Sequence, residues 1–587
     1  MELEINGNTA DLGDNIIAIT RQSLDVENQS TRNIDITNKF NLPFSEINHK
    51  IFNSAYSINS NSDGLDKKYT SKLIDQFIMF NGSGILDEIR NTYPFQLIDS
   101  SRAIFDSMNA LINKIGVDDQ DILFNYSSYT NTNYEQNTLF VWPLVAMHQE
   151  KTATKSPAIT SNSNLTFYRP LFRYSYILNR IFEINGWTLT YDNDLIDKLA
   201  ISSNAKAFYV TSYQKTISQT ITATSGGVNI NFSSPEFNKV TGVTTSVISD
   251  EYNTIFRLRG NIQCDSTIRI SIEATAQPSG KVKTSEHVVN TETTEIDIKT
   301  NEFSKDDTDT SIDFEVKVYG SGDIIFDDVL LYTLIEEQNL GVISDNNLID
   351  YKVKAYDNMP SITQIDLFRD AMIRTHSIIN SESVSSVLNL KSLKNLNKLN
   401  SYDWSDKYII DSDTQKSKLS NIAQKNNLLY DNDDSIDVNL GKSSFQSSNE
   451  AVNDETDYFK FIFSASEDVE ISGNVIGSMD VYDDNVRIND ELNDRLFYMY
   501  EDSAKYVSRF SDISWENLKE NYYKKWFESF FRVRAVECLF DLSKLDVLGH
   551  DFTKLVYVDD LKSYFYVYKI IQFTPNELTK VLMFKFL

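Results

Sequence analysis

Apolar residues along this chain fall mostly in short runs, often at every second position, with turn residues between them. That is the pattern of strands with one buried face. The clearest case is Arg534–Leu587. Its runs are rich in Val, Ile, Tyr and Phe, which suit a pleated, half-buried surface, and Leu548-Gly549-His550, Asp559–Ser563 and Thr574–Glu577 interrupt them. The pattern predicts antiparallel strands that close a small β-barrel. The last strand, Thr579–Leu587, is too apolar to fray and should be paired inside a sheet.

Near the start, Asp14–Thr20 and Leu73–Phe80 read as strands, and Arg32–Phe40 alternates through Ile34 and Ile36 until Leu42-Pro43 ends the run. Ser45–Tyr56 predicts a short helix with Ile47, Ile51 and Phe52 on one face. Asn81-Gly82-Ser83-Gly84 reads as a hairpin turn. A phosphate loop would need a Lys-Ser/Thr after it, and none follows. Arg102–Ile115 has helical spacing at Ile104, Phe105, Met108, Leu111, Ile112 and Ile115, with Gly116 at its stop.

Two helix–strand units stand out. After Pro170, placed in the first turn, Tyr174, Ile177, Leu178, Ile181 and Phe182 keep a helical stripe that stops at Gly186; Trp187–Tyr191 then alternates as a strand. The second unit opens at Pro360, with Ser361 and Gln364 at capping-box spacing, Ile365, Phe368 and Met372 on one face, and a strand at Ser386–Leu390. The repeated order fits an internal duplication, or a common αβ unit occurring twice.

Between the units, Thr211–Tyr332 turns Ser/Thr-rich. Thr267–Glu273 and Ser311–Tyr319 alternate strictly, which predicts a β-sandwich or jelly roll of its own. Its end, Gly322–Tyr332, resembles the last strand of carbohydrate-binding jelly rolls. The segment has no Trp to stack on a sugar, so a structural insert is the favoured reading. The expected fold class is therefore multidomain and mainly β with some α+β. It comprises two small barrel-like domains, helix–strand units and an inserted sandwich. The expected division is 1–140 (N-terminal barrel-like domain), 141–210 (first helix–strand unit), 211–335 (sandwich), 336–440 (second unit) and 441–587 (C-terminal barrel-like domain).

Composition adds to this picture. At 587 residues the chain exceeds one core, and 41% hydrophobic residues are ample for several. A net charge of -29 with no basic run argues against nucleic-acid binding. Cys264 and Cys538 make neither a disulfide framework nor a zinc site. Asp431–Asp437 and Asp480–Asp484 lack the Gly and distal Glu of a calcium loop and read as solvated loops. Met1-Glu2-Leu3-Glu4 does not begin a signal peptide, and runs such as Val329–Ile335 fall far short of a membrane span. No catalytic motif is present, and no catalytic, cofactor or metal residue is singled out.

Five stretches, in order, carry a family resemblance: Ile34–Phe52, Arg173–Thr190, Gln364–Thr375, Asp403–Tyr430 with its W-S-D-K and A-Q-K-N-N, and Phe540–Ile570. Together they resemble tail structural proteins of phages and prophages of Bacteroidetes-type bacteria, and the organisation resembles baseplate hubs. The resemblance implies a non-enzymatic virion protein, made in the host cytoplasm. It would assemble as a homotrimer between the tail tube and a tip, spike or fibre, without cofactor, specific nucleic-acid binding or membrane insertion. The alternative is a host-attachment protein that grips surface glycans with the inserted sandwich. A third class is a tail-associated glycan hydrolase.

Overall fold

The computed structural model describes residues 1–23, 35–57, 65, 67–99, 105, 107–117, 121–123, 138–143, 145, 170–202, 208–211, 214–229, 240–241, 253–277, 279–299, 311–337, 352–379, 386–416, 423–431, 441–447, 450, 452–471, 474–479, 482–483, 486–487, 494–502, 505–530 and 535–586. The fold is multidomain and mainly β, with short helices between several sheets.

Among the described residues the largest sheet has 14 strands, and it joins the first and last strands along the chain. Ala535–Phe540, Ser563–Phe573 and Thr579–Phe586 are antiparallel neighbours, with Thr579–Phe586 between the other two. The final strand is thus an interior strand, and its apolar residues Val581, Met583 and Phe584 are buried. Ser563–Phe573 also pairs with Ile19–Gln22, so Ile19 lies opposite Phe573. The sequence reading treats 1–140 and 441–587 as separate units. In the structure their strands share one hydrogen-bonded sheet, because the edge of each is completed by the other.

Several local expectations differ from the structure. Asn81–Gly84 is no turn: it lies within the strand Phe77–Leu86, paired on both sides. The turn is at Gln76, which takes the left-handed conformation (φ 69°). Gly84 is needed for another reason. A Cβ there would sit 1.9 Å from the Phe95 ring, so the glycine makes room for that ring. The helix at Glu46–Ile51 forms on its Ser45 cap, but Ile47 points outward (52% exposed) while Asn48 is buried. Asn48 binds the backbone of Asp11 and Pro43, so a polar residue takes the inward position. The helix expected at 102–115 is interrupted: Leu111 is extended and bridges Thr363, and Ile112–Lys114 forms only a 3-10 turn. Leu171–Arg173 is a strand, so Pro170 precedes a strand rather than opening a helix. The second long helix is capped by Thr363 with Asp366, not by Ser361 with Gln364. Gln364 is instead tied to Ala110 and Leu111, and this fixes the helix start.

The two helix–strand units meet. Thr188–Tyr191 runs parallel to Val387–Ser392 in one small sheet, and the helices Tyr174–Ile184 and Gln364–Thr375 pack together through Phe182 and Phe368. The first helix buries its predicted stripe, whereas the second is buried almost all round, including the polar Gln364, Asp370, Arg374 and Thr375, because it lies in the interior of the body. A polar network crosses this contact. The Tyr174 hydroxyl donates to the Leu367 carbonyl at 2.7 Å, and Arg374 Nε donates to Asp370 at 2.6 Å. Arg374 also reaches the Tyr430 hydroxyl at 3.2 Å and lies 3.7 Å from the Phe461 ring centroid.

The inserted segment folds as two facing sheets. Ile268–Gln277 pairs with Val282–Val289 and Ser311–Gly320 in one; Asn253–Cys264 and Gln214–Ala223 flank Gly322–Glu337 in the other. Its buried residues form a cluster separate from the main core. The sheet continues into the body through Phe208–Thr211, Lys352–Val353 and Ile122–Leu123. The strands by which the chain enters and leaves the insert are therefore neighbours.

Candidate functional site: a tyrosine-lined cleft

A cleft of about 710 Å³ opens beside the first helix. The helix buries Tyr174, Ile177, Leu178, Ile181 and Phe182 and turns its opposite face outward. Helical spacing then places Tyr176, Asn179, Arg180 and Glu183 along one wall. The floor comes from the following strand and 3-10 turn, with Tyr191, Asp197 and Lys198. The far wall is the hairpin of Leu496–Asp502 and Lys505–Arg509, which supplies Tyr498, Met499, Tyr500, Glu501 and Tyr506. Beneath that hairpin, Phe497 and Met499 belong to a small core with Val141, Val145, Leu171, Ala200 and Met479.

Charged groups from neighbouring elements hold four of the five rings. Tyr191 donates to Asp197 Oδ1 at 2.6 Å; burial, and then that carboxylate, raise the Tyr191 pKa. Lys198 sits over Tyr498 at 5.8 Å, and Arg173 over Tyr506 at 5.7 Å. Arg509 lies over Tyr500 at 4.5 Å and donates to its hydroxyl at 3.3 Å. Arg173 is only 4% exposed, and burial pulls its guanidinium below the ordinary value. Arg180 pairs with Glu183 at 2.8 Å, and Lys198 with Asp194 at 2.9 Å.

The sequence reading named no site residue. The aromatic stripe expected to be core at 167–187 is buried along the inner face of the helix, from Tyr174 to Phe182, while 167–169 lie outside the described residues. The cleft uses the outer face, completed by residues that lie far along the chain. Elsewhere, Cys264 and Cys538 are both free and buried. Asp431 is described and pairs with Lys460; most of the rest of the two acidic clusters lies outside the described residues. Among the described residues no cluster of three or more His, Cys, Asp or Glu is arranged to hold a metal, and no helix is long and apolar enough to cross a membrane.

Fold and cleft together define a multidomain β framework with a preformed polar-aromatic groove. No family model matches the chain, and no curated protein matches it. A solved structure, the 43 kDa tail protein of prophage MuSo2 from Shewanella oneidensis, aligns with 57% of this chain and 98% of its own length. The identity is 7% and the TM-score 0.19, at which the likeness carries no argument.

Proposed function

We propose that this chain is a structural component of a bacteriophage tail, a hub that assembles as a homotrimer between tail tube and tip and frames the DNA channel. One observation carries the reading: the five stretches that resemble tail structural proteins lie on the connected framework and not on the insert. Tyr174, Asp370, Arg374 and Tyr430, from three of them, share one buried network. Arg21 links the other two, pairing with Asp35 at 2.9 Å and donating to the Leu548 carbonyl at 2.9 Å. In this reading the framework works through its interfaces with neighbouring tail proteins.

Three copies would carry three times the chain's net charge of -29, which favours a passage that does not hold DNA. The test is native mass spectrometry of the purified protein, with antibody labelling of tails in electron micrographs. A trimer located at the tail end supports the reading. A monomer at micromolar concentration that is absent from tails overturns it, and salt-sensitive binding of duplex DNA overturns the channel role.

A further inference from the structure

We propose that the tyrosine-lined cleft binds a neutral oligosaccharide. This goes beyond the tail reading and does not depend on it. The cleft has the volume of a ligand site. Its lining is the first argument: among the described residues it has five tyrosines against a single aliphatic residue, Met499. A groove for a peptide offers apolar pockets to anchor side chains, and the described lining of this cleft has only Met499 to build one. Rings that carry hydroxyls instead suit a ligand with an apolar C–H face and a polar rim, which is the character of a sugar ring.

Charge is the second argument. Among the described residues the lining holds three cations, Arg173, Arg180 and Lys198, and three carboxylates, Glu183, Asp197 and Glu501. On a chain of net charge -29 this is a locally balanced patch. It favours neither a polyanion nor a polycation, and its charged groups can donate to and accept from hydroxyls.

Order is the third argument. Four rings are already fixed by Asp197, Lys198, Arg173 and Arg509, so binding orders few side chains. The sugar surface weighed from sequence was the inserted sandwich. The cleft lies instead between the first helix–strand unit and the 496–509 hairpin.

The experiment is calorimetry on the full chain with neutral malto-, cello-, xylo-, manno- and chito-oligosaccharides, with dextran sulfate as the anionic probe. Saturable binding of at least one neutral series is expected, with a Kd of about 10 μM to 1 mM. Tyr498→Ala should weaken it about tenfold, while Tyr498→Phe, which keeps the ring, should change it less than threefold. Asn179→Ala changes an exposed residue of the helical wall, so it tests the cleft even where Tyr498→Ala fails to fold. A threefold or greater loss is expected for it. Three results would each overturn the proposal: no neutral oligosaccharide binds, dextran sulfate alone binds, or binding survives both Tyr498→Ala and Asn179→Ala.

Discussion

The main body and the inserted sandwich solve the same packing problem with different materials. The body is aromatic: Trp142, Trp515, Tyr93, Tyr174, Tyr523, Tyr566, Phe52 and Phe80 are among its largest fully buried side chains. The sandwich core is aliphatic, dominated by Ile217, Ile262, Ile268, Ile270, Ile272, Ile296 and Ile324, with Phe326 as its one ring among the described residues. The body also buries the Asp370–Arg374 pair, His376 and His550, whereas His287 of the sandwich is exposed. The body closes through pairings between the chain ends, such as Ile19 with Phe573. The sandwich core closes within one segment, although its larger sheet runs on into the body through Lys352–Val353 and Ile122–Leu123. Local closure permits an alternating β-branched sequence to complete its own core. Closure through the chain ends makes the body depend on every part of its framework at once.

The body is most vulnerable at its fully buried Asp370–Arg374 pair. Burial pushes the Asp370 carboxyl up, and Arg374 opposes that shift. Asp370→Ala removes the compensation and leaves a guanidinium uncovered in the core, at a cost of about 3–5 kcal/mol. Chemical denaturation should show the body transition collapsing. A second unfolding transition, that of the sandwich, should stay in place. A single merged transition would mean that the two regions fold as one unit.

Matched core truncations come next. Ile570→Ala lies on the strand that joins the two chain ends, and Ile270→Ala lies in the sandwich; both residues are fully buried. Each should cost about 2–5 kcal/mol. In calorimetric scans the first should lower the body transition only, and the second the sandwich transition only.

These regions also differ in how far the sequence could reveal them. Strict alternation in Glu295–Lys299 and the helical stripe from Tyr174 to Phe182 reflect local burial, and both are visible in one dimension. Contacts between distant residues are not. Asn81–Gly84 looks like a turn because its nearest neighbours permit one, and only the Phe95 ring explains Gly84 in a strand. Thr363 caps its helix because Gln364 is held by residues 110 and 111. The cleft was hidden for the same reason: its walls come from 173–198 and 498–506, and neither segment carries a motif.

Acid should separate the regions without mutation. Burial holds His376 and His550 neutral and lowers each pKa from 6.5 to about 3; at His550 the Arg21 charge adds to this while Asp551 and Asp546 oppose it. Above pH 6.5 both rings are neutral whether folded or unfolded, and the full stability is present. Below it the unfolded chain takes up protons that the folded one refuses. Each ring therefore costs about 1.4 kcal/mol per pH unit, until pH nears 3. The body transition should fall between pH 6.5 and 5 while the sandwich transition moves less. His376→Phe should flatten the body's slope.

The smallest effect on stability belongs to the seam, where the two regions touch through charge. Across it Arg257 pairs with the buried Asp357, the Tyr356 hydroxyl donates to Asp297 at 3.3 Å, Arg259 lies 3.2 Å from the Tyr356 ring centroid and Lys114 pairs with Glu295 at 2.6 Å; within the sandwich Arg257 also donates to Asp297 at 2.7 Å. Asp297 and Arg257 belong to the sandwich, and Tyr356, Asp357 and Lys114 to the body, so these contacts set an orientation more than they build a core. Burial raises the Asp297 pKa, but Arg257, with Arg259 and Lys114, outweighs it and leaves the carboxyl below its usual 3.8. A depressed carboxyl stabilises the seam above its unfolded pKa and releases it as pH falls through the folded one. Asp297→Ala should therefore cost about 0.5–1 kcal/mol and move neither transition by much. It should instead loosen the angle between sandwich and body, read as a larger maximum dimension in small-angle scattering and as faster proteolysis at the seam. An unchanged scattering curve would place the control of orientation in the continuous strands Phe208–Thr211 and Lys352–Val353 and not in the ion pairs.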